Sequence, residues 1–357
     1  MGITAPTTDS RGSTQHNTFH PLRVRRVVHE TPDASSFVLE VPPELSRTFS
    51  YEAGQFCNLR VRVDGRQHVR CYSMSSSPAV DDELQVTAKR VPGGVVSNWM
   101  IDTLSPDDVV EVSAPAGFFQ LETDDVDVVA FAAGSGITPV FSLLKTALAA
   151  TSRRFNLLYA NRDRDAAIFA SALDALSASH PDRLTVVHHF DADQGFVGPE
   201  AVRRFVAEGA AEAQFYICGP GPFMVIVEQT LLAGDVDPSR IHIERFTPTE
   251  RVPEPTPPFA SCTGAQVTIQ LDGRTEAAEH RPGTTILQTA RQMGLSPPYS
   301  CESGSCATCM AKLVEGAVSM HVNNALTPEE VEEGWVLTCQ SVPTTPAVHV
   351  VYGYDEG

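Results

Sequence analysis

Near its C-terminal end the sequence reads CESGSCATC from Cys301 to Cys309, and a fourth cysteine, Cys339, follows in WVLTCQS. Thiolates separated by four and then two residues, with a distant fourth, match the plant-type spacing for a two-iron, two-sulfur cluster, in which each iron takes two protein sulfurs. A loop that holds three ligands must curl tightly, so the residues between them have to be small. Ser303, Gly304, Ser305, Ala307 and Thr308 all are. Such a loop can turn backbone N–H groups toward the sulfurs and favour an added electron, so the chemistry on offer is one-electron transfer. Structural zinc is the ordinary alternative, but zinc favours paired C-x2-C hooks and only Cys306 and Cys309 form one. Disulfides would need an oxidising compartment, and the opening MGITAPTTDSRGSTQHNTFH lacks the apolar core of a secretory signal.

Three further groups suit larger ligands. RCYSMSSSP, from Arg70 to Pro78, places Arg70 and Tyr72 on one face of a strand with Ser73 opposite or at its end. Arginine offers a fork to a phosphate and tyrosine a flat surface to a ring, although alone they would read as ordinary exposed side chains. VTAKRVPGGVVSNW then brings Gly93, Gly94 and Ser97 to the start of an expected helix, where free N–H groups could cradle a pyrophosphate. AAGSGITPV sets Gly134, Gly136 and Pro139 between a strand and a helix, resembling the dinucleotide fingerprint with proline where its third glycine would stand. CGPGPFM, Cys218 to Met224, also follows a strand, on the side where open α/β sheets bind ligands. Cys218 could equally be a small core residue.

The elements that must position these groups follow from periodicity. LRVRRVVHE, SFVLEV, FCNLRVRV, RCYSMS and LQVTAKR are short β-rich runs broken by Pro, Gly and Asp, which argues an antiparallel barrel or sandwich. From Val126 strands (VDVVAFAA, FNLLYA, LTVVHHF, QFYICG) alternate with helical stretches (FSLLKTALAA, AAIFASALDALSA), as in a parallel sheet. TPTERVPEPTPPF is a semi-rigid spacer. Beyond it, QVTIQLDGRTEAAE reads as a hairpin turning at Asp272-Gly273, followed by a helix around TTILQTARQM, the cysteine loop, strand MAKLVEG and a last strand pair, compatible with an α+β β-grasp ferredoxin. The expected boundaries are a mobile tail at 1–19, an antiparallel β-barrel at 20–123, an α/β parallel-sheet domain at 124–247, a Pro-rich linker at 248–264 and an iron–sulfur domain at 265–357.

In that order, RCYSMSSSP, KRVPGGVVSNW, APAGFF, AAGSGITPV and CGPGPFM resemble the ferredoxin–NADP reductase superfamily with a plant-type ferredoxin fused behind it. The resemblance covers the chain from about residue 20 to its end. It implies Arg70 at the flavin phosphate, Tyr72 against the ring system and Ser73 near the reactive edge, with Gly94, Val95 and Ser97 at a pyrophosphate and hence FAD as the flavin. It implies Gly134, Gly136, Thr138 and Pro139 at the nicotinamide nucleotide, Cys218, Gly219 and Pro220 beside the nicotinamide, and Glu244 and Phe246 of HIERF near the flavin. Ser73, Cys218 and Glu244 are then the residues expected around hydride transfer, and Cys301, Cys306, Cys309 and Cys339 the cluster ligands. The order flavin, nicotinamide, ferredoxin is similar to the reductase components of multicomponent oxygenases. YANRDRDAAIF, HIERF and CQS resemble the reductases of 3-ketosteroid 9α-hydroxylases within that group, and reductases of the phenylacetyl-CoA epoxidase type share the architecture.

Composition agrees with this reading. With 44 acidic against 26 basic residues the formal charge is −18, so a phosphate backbone would be repelled and nucleic acid is not an expected partner. A mean hydropathy of −0.10 and no long apolar run argue a soluble, cytoplasmic protein with no membrane span, expected as a monomer. Electrons should pass from NADH through FAD and the cluster to a terminal oxygenase, of Rieske type in this reading, and cofactors rather than nucleophilic side chains would carry the reaction. A redox sensor would not need a hydride-binding turn together with a flavin segment; a stand-alone flavin reductase would not need the cluster. NADH is expected over NADPH because Asn161-Arg162-Asp163-Arg164-Asp165 follows strand FNLLYA, where acids disfavour a 2′-phosphate, although both arginines oppose this. Residues 264–357 carry 11 acidic and 4 basic residues, a net of −7, with TPEEVEE expected both to cap a helix and to steer a basic partner.

Overall fold

The computed structural model describes residues 2–5, 18–207, 212–246, 262, 264–271, 273–295, 297–299, 301, 302, 304, 306–323 and 325–353. They form two compact units, one of residues 20–246 and one joining the first 19 residues to residues 247–357.

The larger unit opens with six antiparallel strands in the order Arg66–Ser73, Phe56–Val63, Val109–Ser113, Phe19–Thr31, Ala34–Glu40, Leu84–Lys89. Asp64 and Gly65 both take left-handed backbone (φ 49° and 76°), the two-residue turn that matches strand twist, and this fixes the pairing Val63 to Arg66. The sheet closes where Met74 bridges Val86 and Ser75 N–H donates to the Gln85 carbonyl at 2.8 Å. Leu22, Val24, Phe37, Leu59 and Met74 fill the barrel, and Val96 and Met100 of helix Val95–Thr103 plug it.

Five parallel strands follow, in the order Leu184–Phe190, Phe155–Asn161, Val128–Ala133, Gln214–Cys218, Ile241–Glu244. The central strand Val128–Ala133 is buried throughout: Ala130 and Ala132 pack on one side, Val129 and Phe131 on the other, as a sheet covered on both faces requires. Two helices differ from expectation. The first begins at Ile137 rather than Phe141, because Thr138 and Pro139 occupy its first turn, where a missing N–H costs nothing. The second begins at Ala170 rather than Ala166, because Asp163 caps a separate turn at Arg164–Ala166 and Phe169 sits in left-handed backbone (φ 59°).

In the smaller unit, strands Arg274–Glu279, Gln266–Leu271, Ala347–Val351, Met310–Glu315 and Trp335–Leu337 pair in that order. Helix Ile286–Gln292, begun by a Thr285/Gln288 capping box, packs Ile286, Leu287 and Ala290 into their core. The parallel pairing of Gln266–Leu271 with the last strand gives the β-grasp arrangement. Asp272 of the expected hairpin turn lies outside the described residues, as do residues 247–261 and 263 of the linker region. Among the described residues, no helix is long and apolar enough to cross a membrane.

The N-terminal segment departs from the expected tail. Gly2–Thr4 form a strand antiparallel to Ala317–Met320, Ala5 N–H donates to the Gly316 carbonyl at 2.9 Å, and Ile3 joins the core of the smaller unit; residues 6–17 lie outside the described residues. Three residues are too few for periodicity to register, and one buried isoleucine with an unpaired strand edge beside it supplies the driving force. Ile3→Ala is expected to destabilise this unit by about 2 kcal/mol, read as a lower urea midpoint for loss of its visible absorbance.

Candidate electron-transfer site

Ser73 is the last residue of its strand and Tyr72 and Arg70 share a face, paired across with Cys57 and Leu59. Tyr72 packs against the barrel core, and burial raises its hydroxyl pKa. The serines that follow are tied down. Ser75 Oγ lies 2.7 Å from Thr87 Oγ1, Ser76 Oγ accepts Gln85 N–H at 2.9 Å, and Ser77 Oγ meets Thr146 Oγ1 at 2.6 Å. Ser73 Oγ is buried with no hydrogen-bond partner among the described residues, an orphan that suits the polar edge of a bound flavin.

Gly93 is left-handed (φ 68°) and closes a turn in which Gly94 N–H donates to the Val91 carbonyl at 2.8 Å. Gly94 then starts the helix without any side-chain cap, while Ser97 Oγ accepts Val91 N–H at 3.2 Å. A side chain at Gly94 would stand 2.8 Å from Ser97 Oγ, so the backbone is left bare at a helix N-terminus, as a pyrophosphate would need.

The turn at 134–139 is set by contact between two strand ends. A Cβ on Gly136 would lie 2.1 Å from the Cys218 carbonyl oxygen, and one on Gly219 would lie 2.9 Å from Ala133 Cβ. Glycine at both places lets the first strand-to-helix turn press against the end of strand Gln214–Cys218, at the point where strand order reverses. Thr138 Oγ1 donates to the Ser135 carbonyl at 3.0 Å, and Tyr159 OH donates to the Gly134 carbonyl at 3.3 Å. Cys218 and Glu244 are register partners on neighbouring strands, both buried, and Pro220 caps helix Gly221–Ala233. Burial, with Glu244 adding, holds the Cys218 thiol well above its ordinary value. Phe246 packs against the core that also holds Ala34, Ala53 and Phe119 of the barrel.

Lys89 escaped sequence reasoning. The end of the barrel strand carries it to the turn, 3.4 Å from where a Cβ on Gly134 would be, and burial lowers its pKa. Its cationic type was visible, but its place over a turn 45 residues away was not. Asp163 is committed differently from expectation. One carboxylate oxygen accepts Ala166 N–H at 2.9 Å and the other accepts Arg162 Nε at 2.7 Å, so it neutralises the arginine that would attract a 2′-phosphate. Asp191 follows the end of the neighbouring strand, and burial raises its carboxylate pKa.

In the smaller unit all four loop and partner cysteines are buried and unbridged. Cys301 N–H donates to Cys306 Sγ at 3.4 Å, and Cys309 is hydrogen-bonded to Cys339, which with burial raises its thiol pKa. Two pairs of sulfurs fit two irons. Cys339 reaches the loop because Thr338 donates to the Cys309 carbonyl through both its N–H (3.2 Å) and its hydroxyl (2.8 Å). Glu302, Gly304 and Ala307 all take positive φ (50°, 79° and 52°), which curls the loop; a Cβ at Gly304 would stand 2.7 Å from the Val322 carbonyl. Each left-handed non-glycine costs about 1 kcal/mol, which the surrounding bonds must offset.

Three family models match in this order: an oxidoreductase FAD-binding domain over residues 21–121, an oxidoreductase NAD-binding domain over 131–229 and a 2Fe-2S iron–sulfur cluster binding domain over 269–344. Fold and site together define a pyridine-nucleotide reductase that uses FAD and a two-iron cluster. The chain is 40% identical to the ferredoxin reductase component of 3-ketosteroid-9-alpha-monooxygenase from Mycolicibacterium smegmatis over 340 residues, covering 93% of this chain and 96% of that one. It is 38% identical to the Rhodococcus rhodochrous counterpart (93% and 96%) and 34% identical to a component of 1,2-phenylacetyl-CoA epoxidase from Escherichia coli (93% and 97%). It superposes on phthalate dioxygenase reductase with a TM-score of 0.60 at 24% identity, covering 95% and 99% of the two chains. The chain belongs to the family of three-domain oxygenase reductase components that these relatives represent.

Gly136→Ala is expected to raise the KM for NADH at least about tenfold, because the added methyl forces the turn off the Cys218 carbonyl; stopped-flow reduction of the flavin checks it. A second expectation concerns pH. The native Cys218 thiol stays protonated where an unfolded thiol, with its ordinary value of 9.0, ionises. Its stabilising share is therefore complete below pH about 9 and lost as pH rises further, so the melting midpoint of wild type should fall more steeply above pH about 9 than that of Cys218→Ala.

Proposed function

We propose that this chain is the NADH-dependent reductase of a Rieske-type oxygenase that hydroxylates a steroid ring. The observation that carries the reading is identity of 38–40% over nearly the whole of both chains to the 3-ketosteroid-9-alpha-monooxygenase reductases. Bound FAD would supply two-electron acceptance from NADH with one-electron release, and a two-iron cluster would supply one-electron relay. Within this scheme Arg70 holds the flavin phosphate, Tyr72 the ring, Ser73 the reactive edge, and Gly94, Val95 and Ser97 the pyrophosphate. Gly134, Gly136, Thr138 and Pro139 hold the nicotinamide nucleotide with Lys89 above the turn. Cys218, Gly219, Pro220, Glu244 and Phe246 line the hydride path, and Cys301, Cys306, Cys309 and Cys339 bind the cluster. A monomer in the reducing cytoplasm suits eight free cysteines. The di-iron epoxidase reading is favoured only by the 34% identity to the Escherichia coli epoxidase component.

Reconstitution with each oxygenase tests the reading: faster electron delivery to a 3-ketosteroid 9α-hydroxylase than to a phenylacetyl-CoA epoxidase is expected, and the reverse order refutes it. Cys306→Ser should lose the cluster and keep FAD, read by absorbance and flavin extraction, since the two lie in separate units. Thr327 and Glu330 form a reciprocal capping box, which commits Glu330 to the fold and leaves Glu332 exposed on the same short helix. Salt should slow the oxygenase step and leave flavin reduction by NADH nearly unchanged, and Glu332→Gln with Glu333→Gln should lessen that dependence.

A further inference from the structure

Arg291, in the last turn of helix Ile286–Gln292, grips the cysteine loop on both sides of its first cysteine. Its Nη2 donates to Glu302 Oε1 at 2.7 Å and its Nη1 to Glu302 Oε2 at 3.3 Å, a two-pronged pair with the residue just after Cys301. Its guanidinium carbon also sits 3.6 Å from the centroid of the Tyr299 ring, two residues before Cys301. The side chains of the pair are 33% and 21% exposed, so water screens them only in part. A third group completes the clamp: Gln340 Nε2 donates to the Glu302 carbonyl at 2.9 Å and lies 3.7 Å from Cys339 Sγ. The clamp thus links a helix to the loop at its first cysteine and to the strand end that carries the fourth.

We propose that Arg291 is a positioning residue that sets the reduction potential of the cluster by cancelling the charge of Glu302. A carboxylate one residue from a ligand opposes an added electron, and this unit, at 11 acidic against 4 basic residues between 264 and 357, is otherwise strongly negative. Arg291 forms its pair in a fork geometry that lysine cannot reproduce. Reduction adds one electron, supplied by the flavin, and makes or breaks no bond at either residue. The inference rests on the cluster assignment above.

The test is a charge cycle on the full-length holoprotein: R291Q, E302Q, R291K and R291Q/E302Q, each measured for iron content, reduction potential by redox titration and the electron paramagnetic resonance g-values of the reduced cluster. R291Q should lower the potential, E302Q should raise it, and the double variant should return close to wild type. R291K keeps the charge and should stay nearer to wild type than R291Q. A double variant as low as R291Q would mean that geometry, not charge, sets the potential, and an E302Q potential equal to wild type would likewise overturn the proposal. If R291Q loads no iron, E302Q and R291K still decide it. Wild type without a two-iron signal would instead overturn the cluster assignment itself, so the two failures are distinct.

Discussion

The larger unit depends on one close approach. Between Gly136 and the Cys218 carbonyl there is no room for a methyl group, so the first strand-to-helix turn and the end of the fourth strand are pressed together at the point where the sheet changes direction. That contact brings Gly134, Gly136, Cys218 and Gly219, separated by some 80 residues in sequence, onto one edge. Register then carries the constraint outward: Cys218 pairs with Glu244, and Lys89 arrives from the barrel over the same turn. Substitution at Gly136 would disturb binding and fold together, because the atoms it would meet are backbone of Cys218 and Gly219 rather than a side chain that could move.

Barrel and parallel sheet meet through polar contacts as well as apolar ones. Ser142 Oγ donates to the Ser76 carbonyl at 2.5 Å, Ser77 meets Thr146, and Lys145 pairs with Asp81. Each such hydrogen bond contributes about 1 kcal/mol, and their directionality fixes orientation more sharply than apolar contact does. The segment that presents Ser73 is thereby anchored to helix Ile137–Ala150, which begins at the glycine turn after strand Val128–Ala133. Positioning a flavin edge and a nicotinamide ring within hydride reach requires this kind of rigidity, since misplacement by about 1 Å costs about a hundredfold in rate.

The smaller unit solves a different problem, bringing the sulfur of Cys339 to a tight, partly left-handed loop that carries three others. Thr338 fastens the distant cysteine to Cys309 with two bonds to one carbonyl, and Tyr352 OH, 2.7 Å from Thr338 Oγ1, buttresses it from the last strand. Gln340 and Arg291 hold the other end of the loop. The bonds that offset the loop's strain therefore come from helix, strand and C-terminal segment alike, which couples the ligand set to the whole β-grasp core.

Much of this protein could be read from its letters. Spacing alone pointed to an iron–sulfur domain, because the number of residues between cysteines limits the loops that can wrap a cluster, and the 2Fe-2S domain match covers 269–344. Period-two and period-3.6 patterns separated barrel from parallel sheet, because each face of a buried element repeats with its geometry. What remained hidden is what depends on through-space proximity. The strand Gly2–Thr4 is held by one core contact and a borrowed edge, Lys89 matters only because the barrel ends beside Gly134, and Asp163 changes role once its oxygens are taken by Arg162 and Ala166. The grip of Arg291 on Glu302 is of the same kind, since residues 11 apart with a loop between them follow no period. Local pattern decides what a segment becomes; only packing decides which charges and backbone groups finally meet, because those meetings are made by elements that the sequence keeps apart.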